Sequence, residues 1–280
     1  MPSPVAFAVD AQTDLAADKA AQSHSYGRYL VSSGLGGAYV GFAVILLLSV
    51  SAPLVAASHP AAKLVQAGVF GLALTLVVFA GAELFTSNVM AMTQGLLRRR
   101  ITLADVLRVL GLSLVGNLLG ALLLAVIVHG GGTLAAAKPG TPAAGLALLK
   151  SSIVAKNDAS GGQLFARAVL CNMLVCLAMW MAARANTDGA KLAVLWWGLL
   201  GFVGAGFEHS IANMTLFGLG MLNGSATAAD FARNLAWTIP GNMVGGGVLV
   251  GIAYWYVARP RVITLPEAMP TDAEKATISV

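Results

Sequence analysis

Apolar residues in this chain do not alternate with polar ones; they run in long blocks. No Asp, Glu, Lys or Arg occurs between Arg28 and Lys63, and the block from Leu64 to Leu97 is broken only by Glu83. Further blocks cover 109–128, 164–183, 192–222 and 234–258, with Glu208 and His209 inside the fifth. A helix crossing the hydrocarbon core of a bilayer needs about 20 apolar residues. The pattern therefore predicts an all-α integral membrane protein with six transmembrane helices, the first near 30–56. The second and fifth blocks exceed one crossing and carry polar residues near their middles, which predicts two broken helices.

Composition narrows the choice. Hydrophobic residues make up 58% of the 280 and charged ones 10%, against about 45–50% and about 25% in soluble domains. So few charges cannot cover a soluble surface, which excludes a cytosolic enzyme and a disordered chain. The net charge of +5 does not point to nucleic acid, because the basic residues are few and sit at block edges. Cys171 and Cys176 lie on one block, spaced neither as a CxxC pair nor as a staple between elements, and read as core thiols. No cofactor motif is present. Residues 1–27 carry Asp10, Asp14 and Asp18 and lack the apolar core of a signal peptide. They read as a cytoplasmic, amphipathic segment under the inner mouth, although Val5, Phe7, Val9 and Leu15 form no clean helical stripe. Residues 259–280, with Pro266 and Pro270, read as a cytoplasmic tail without regular structure.

Cytoplasmic loops retain Lys and Arg. Placing Arg98–Arg100, Arg108, Arg184, Lys191, Arg259 and both termini inside lets six spans alternate consistently. Lys63, Lys138, Lys150, Lys156, Arg167 and Arg233 then fall outside. That outer set is basic around Lys138–Arg167 and would attract an anion.

The two interrupted blocks superpose. Gly81-Ala82-Glu83-Leu84-Phe85-Thr86-Ser87-Asn88 and Gly206-Phe207-Glu208-His209-Ser210-Ile211-Ala212-Asn213 share G-x-E-x-x-x-x-N at an offset of 125 residues. The same offset aligns Gly116-Asn117-Leu118-Leu119-Gly120 with Gly241-Asn242-Met243-Val244-Gly245. Two matches at one offset imply two halves, about 28–130 and 160–258, each of three spans. An odd number of spans per half inverts the second half relative to the first. Inverted repeats with broken helices are a transport architecture. Non-helical backbone at membrane depth is tolerated only inside protein or beside a wet cavity, and half-helix N-termini favour an anion there. Glu83 and Glu208 read as groups satisfying the amides of their own loops. A titratable His209 at mid-membrane points to function. Asn117 and Asn242, each inside a GxxxG packing motif, either bond across helices or line the pore.

Gly81–Asn88 (GAELFTSN), Leu170–Trp180 (LCNMLVCLAMW) and Gly206–Met214 (GFEHSIANM) resemble the formate/nitrite transporter family over all six spans, from about residue 28 to 258. The resemblance implies an aquaporin-like fold in the bacterial inner membrane. It implies a homopentamer whose protomers each carry a pore for formate, nitrite or hydrosulfide. It places the central histidine at His209 and the threonine facing it at Thr86, with pore-side asparagines at Asn172, Asn213 and Asn242. The vestibule lysine falls on Lys156. The inner apolar constriction falls on Phe70, Leu74 and Leu84, and the outer one on Val175 and Phe202. Residues 210–217 and Gly130–Gly132 look more like the nitrite branch than the formate branch. In this family the N-terminal segment can act as a gate.

The expected mechanism follows from cost. A bare anion in an apolar constriction pays a large desolvation penalty. Lys156 concentrates anions at the mouth, His209 and Thr86 donate hydrogen bonds at the centre, and protonation of nitrite to neutral nitrous acid eases the crossing. Two other classes compete: a membrane enzyme or metal site built on Glu83, Glu208 and His209, and a channel for a neutral solute such as water or ammonia.

Overall fold

The computed structural model describes residues 1–135 and 143–259, and over these the chain is helical. The first half holds α1 (Val5–Gln22), α2 (Tyr26–Ala56), α3 (Ala62–Val69), α4 (Leu72–Phe79), α5 (Phe85–Leu97) and α6 (Leu103–Gly130). The second holds α7 (Ala144–Asn157), α8 (Gly161–Arg184), α9 (Asp188–Ala205), α10 (Ser210–Leu222) and α11 (Ala228–Met243). A π-helical stretch, Val244–Ile252, and α12 (Ala253–Val257) continue α11. Five stretches are long and apolar enough to cross a membrane, and α9 with α10, bent by 57°, makes a sixth. Lys138 and the tail from residue 260 onward lie outside the described residues.

Helix starts are set by short polar signals. Thr102 with Asp105, Ser160 with Gln163 and Thr227 with Asp230 form capping boxes at α6, α8 and α11, each satisfying two otherwise orphaned amides. Thr102–Asp105 and Thr227–Asp230 are a third pair at the 125-residue offset. Glycine lets the paired spans close up. A methyl group at Gly120 would sit 1.8 Å from the carbonyl oxygen of Gly34 on α2, and one at Gly245 would sit 2.1 Å from that of Val169 on α8. The GxxxG motifs are therefore used inside the protomer, α6 on α2 and α11 on α8.

Three elements differ from the sequence pattern. Residues 5–22 form a helix, α1, whose buried face is Ala8, Val9, Gln12, Thr13, Ala16 and Ala20. The contact is made by small residues, with Ala16 against Gly95, while Phe7 and Leu15 stay exposed. Second, α7 lies in the stretch read as an outer loop; with 14 residues it is too short to span, and it packs on α2 and α10. Third, the sixth span is also irregular, since its middle is π-helical around Gly245–Gly247.

The basic residues sort by end. Arg98 pairs with Asp10 and Arg100 with Asp14, at 3.3 and 3.4 Å. Arg108 bonds Ser23 and His24, and Arg184 donates to the carbonyl of Ser3. These contacts gather α1 and the ends of α5 and α8 on one face of the bundle, called here the inner face.

Candidate functional site

The site is built by two loops, each joining a helix to a half-helix that starts near the middle of the bundle. In the first, α4 ends and Gly81 turns with φ of 77°; in the second, α9 ends and Gly206 turns with φ of 75°. This left-handed backbone is readily adopted only by glycine. The next residues run extended, so Leu84 and His209 become the N-caps of α5 and α10. The N–H of Glu83 reaches the carbonyl of Ser32 on α2, and that of Glu208 reaches the carbonyl of Arg167 on α8, both at 3.3 Å.

Asn117 and Asn242 hold these loops. Asn117 Oδ1 accepts from the N–H of Phe85, and its Nδ2 donates to the carbonyls of Ser33 and Glu83. Asn242 Oδ1 accepts from the N–H of Ser210, and its Nδ2 donates to the carbonyls of Ala168 and Glu208. Both are fully buried. Backbone groups at this depth have no water to turn to, so the three bonds from one amide are what makes each non-helical loop tolerable.

The carboxylates do something else. Glu83 accepts from Lys19 of α1 at 2.6 Å, from the Tyr29 hydroxyl and from Asn88. Glu208 accepts from Lys156 of α7 at 2.6 Å and from Asn213. Each charge is paired and hydrogen-bonded, as burial demands. Neither glutamate satisfies its loop's amides, which corrects that expectation; the asparagines do that work.

The two loops meet at His209. Its Nε2 lies 3.1 Å from Thr86 Oγ1, and its Nδ1 accepts the N–H of Ala212 at 3.1 Å. An accepting Nδ1 assigns the ring proton to Nε2, so the imidazole donates towards Thr86. With that bond accepted, the Thr86 hydroxyl proton has no protein acceptor among the described residues. The Thr86 carbonyl is tied down by Asn172 Nδ2 and Cys176 Sγ.

A cavity opens on either side of this pair. The outer one, about 170 Å³, is lined by Lys63, Gln66, Phe70, Lys156, Phe202 and His209, among others. The inner one, about 390 Å³, is lined by Lys19, Ser32, Glu83, Ser87, Asn88 and Met179, among others. Both border α2, at Ser32 on the inner side and at Leu47 and Leu48 on the outer. Those positions are about 22–24 Å apart along a helix axis, so the cavities lie at opposite ends of the path.

Several expected positions shift. Phe70 packs edge-on against Phe202 with ring centroids 5.5 Å apart, and both line the outer cavity. Phe70 therefore belongs with Phe202 and not with Leu74 and Leu84. Leu74, Leu84 and Val175 are buried beside the loops. Asn242 and Asn172 are both tied to backbone: the first holds the second loop, and the Nδ2 of the second bridges the Thr86 and Asn242 carbonyls. Asn213 does line the outer cavity while bonding Glu208 and Asn234. Lys19 and Tyr29, which bond Glu83, and Ser113, which accepts from Asn88, carried no sequence signal, whereas Asn117 bonds across helices, one of the two readings open for it. Asn88 was legible as the repeat partner of Asn213, and the structure gives it the equivalent bond to Glu83. Among the described residues no three metal-ligating side chains converge.

Comparison with known proteins bears on what these loops belong to. The family model for formate/nitrite transporters matches residues 7–256. The nitrite transporter NirC of Salmonella typhimurium is 39% identical over 251 residues, covering 86% of this chain and 89% of the relative. NirC of Escherichia coli is 40% identical over 233 residues, covering 81% and 82%. A solved channel described as an FNT family ion channel matches with a TM-score of 0.82 at 37% identity, over 90% of this chain and 99% of its own. A pentameric formate channel with formate bound matches with a TM-score of 0.71 at 27% identity, over 84% and 98%. With a match from α1 to α12 that takes in both broken helices, the chain belongs to the formate/nitrite transporter family.

Proposed function

We propose that this chain is a channel for small monovalent anions, with nitrite its principal substrate, in the bacterial inner membrane with both termini cytoplasmic. The observation that carries this is the His209–Thr86 pair. It sets one free hydrogen-bond donor, the Thr86 hydroxyl held by His209 Nε2–H, between two cavities that both carry lysine. The identity of about 40% to two nitrite transporters favours nitrite; formate and hydrosulfide are the alternative within the same family, favoured by the likeness to a formate channel. That neighbour is pentameric, and a homopentamer is the assembly we propose. The exposed apolar face of α2 and α6, with Leu35, Phe42, Leu119 and Leu123, faces lipid or a neighbouring protomer.

An anion drawn into the outer cavity by its lysines loses water at the Phe70–Phe202 pair, where an unpaired charge is costly. The Thr86 hydroxyl, whose oxygen accepts from His209 Nε2–H, turns its own proton to the anion and replaces part of that hydration. A proton delivered along the wet cavity converts nitrite to nitrous acid, which crosses the apolar surface of Leu74, Leu84 and Val175 without a net charge. In the observed geometry His209 acts as a hydrogen-bond donor, because protonating Nδ1 would set it against the N–H of Ala212. The reading is of a channel and not of an enzyme, since each buried carboxylate is committed to a lysine. Uptake of nitrite, formate, hydrosulfide and chloride by proteoliposomes at several pH values tests this. Nitrite and formate flux rising as pH falls is expected; water or ammonia flux without anion flux would overturn it.

A further inference from the structure

The outer cavity is lined by two cations, Lys63 and Lys156, and they are not equivalent. Lys156 Nζ lies 2.6 Å from Glu208 Oε2, so its charge is balanced in part by that carboxylate. Lys63 has no carboxylate within ion-pair distance among the described residues. Lys63, Gln66 and Phe70 fall at i, i+3 and i+7 on α3 and its C-cap, and all three line the cavity. They form one stripe running from the mouth to the aromatic pair. The ammonium of Lys63 also reaches the second loop: a methyl group on Gly206 would meet it at 4.0 Å, three residues before His209.

We propose that Lys63 supplies the uncompensated positive charge of the outer cavity and positions small monovalent anions at the mouth, ahead of the Phe70–Phe202 constriction. Lys156, by contrast, chiefly balances Glu208 and so keeps the second loop in place. This rests on the anion-channel reading. Lys63 is exposed, so its effect is one of field and not of a fixed bond. A lined cleft of one sign raises the local concentration of the opposite ion, and salt screens it over about 10 Å at about 0.1 M.

The test is initial nitrite uptake against concentration in proteoliposomes, at about 0.01 M and about 1 M ionic strength set with an impermeant salt. The proteins compared are the wild type, Lys63→Gln and Lys63→Arg. Lys63→Gln is expected to raise the apparent KM roughly five-fold at low salt with maximal flux unchanged. Lys63→Arg restores the wild-type KM, and high salt closes the gap. A wild-type KM for Lys63→Gln at low salt would overturn the proposal. So would an equal deficit in Lys63→Arg, or a loss confined to maximal flux. A wild-type protein that takes up neither nitrite nor formate overturns the channel reading itself, a result distinct from any of these.

Discussion

The two loops have nearly the same scaffold and different chemistry. Both turn at a left-handed glycine, both hang from one buried asparagine by three hydrogen bonds, and both pair a glutamate with a lysine and the asparagine five residues on. The lysines even come from outside the repeat, from α1 on one side and α7 on the other. At the N-cap, however, the first loop has Leu84 and the second has His209; two residues later the first has Thr86 and the second Ile211. The scaffold is duplicated, whereas each polar group of the central pair occurs once, one per loop. Duplication solves the problem of keeping irregular backbone at membrane depth. The single histidine and threonine then meet only because the halves are inverted.

The largest effect is expected where the shared scaffold is broken. Asn117→Leu and Asn242→Leu each orphan one N–H and one loop carbonyl in a dry interior and cut a tie to the neighbouring helix, costing about 2–4 kcal/mol. Both should lower thermal stability in detergent by similar amounts. A large difference between them would break the equivalence of the loops.

Next come the ion pairs. Glu208→Ala leaves Lys156 partly buried and unpaired, at a cost of about 2–3 kcal/mol, below the range for fully buried pairs because Lys156 reaches the cavity. Adding Lys156→Met should recover most of that stability, as measured by thermal unfolding. Glu83→Ala should do less to overall stability, because Lys19 sits on α1, a peripheral helix free to lift. Faster proteolysis within residues 5–22 is the measurement that checks it.

Smaller still in stability, but large in flux, is the chemistry itself. His209→Leu gives the second loop the N-cap of the first and removes the bond to Ala212, costing about 1 kcal/mol. It should leave a folded protein with nitrite flux in proteoliposomes reduced more than ten-fold. Thr86→Val keeps the shape and loses the hydroxyl, with a smaller drop in the same assay. Leu84→Met, on the other loop, should change flux least.

Much of this was legible beforehand. Long apolar blocks gave six spans because bilayer thickness sets helix length, and the repeated G-x-E-x-x-x-x-N located both breaks. Glu83, Glu208 and His209 stood out because charge at membrane depth is rare. The roles of polar neighbours were harder to read. Asn242 takes the task expected of Glu208, and Glu208 pairs with Lys156, since sequence spacing does not say which side chain faces a backbone amide and which faces a lysine. Helix α1 shows no stripe of large apolar residues because it docks through alanines, and Lys19 is 64 residues from its partner. The resemblance grouped Phe70 with Leu74 and Leu84, yet its ring packs on Phe202 of another span and both face the outer cavity, a contact that spacing along the chain does not show.

The central claim is that chemistry resides in the one feature the loops do not share. The direct measurement is nitrite flux through His209→Asn in proteoliposomes from about pH 5 to about pH 8, beside the wild type and Leu84→Met. Asparagine can still cap α10 but cannot present a ring N–H to Thr86. Flux through His209→Asn should fall well below the wild type across the whole pH range in a protein of normal assembly, with Leu84→Met following the wild type. A His209→Asn profile that overlays the wild type would contradict it.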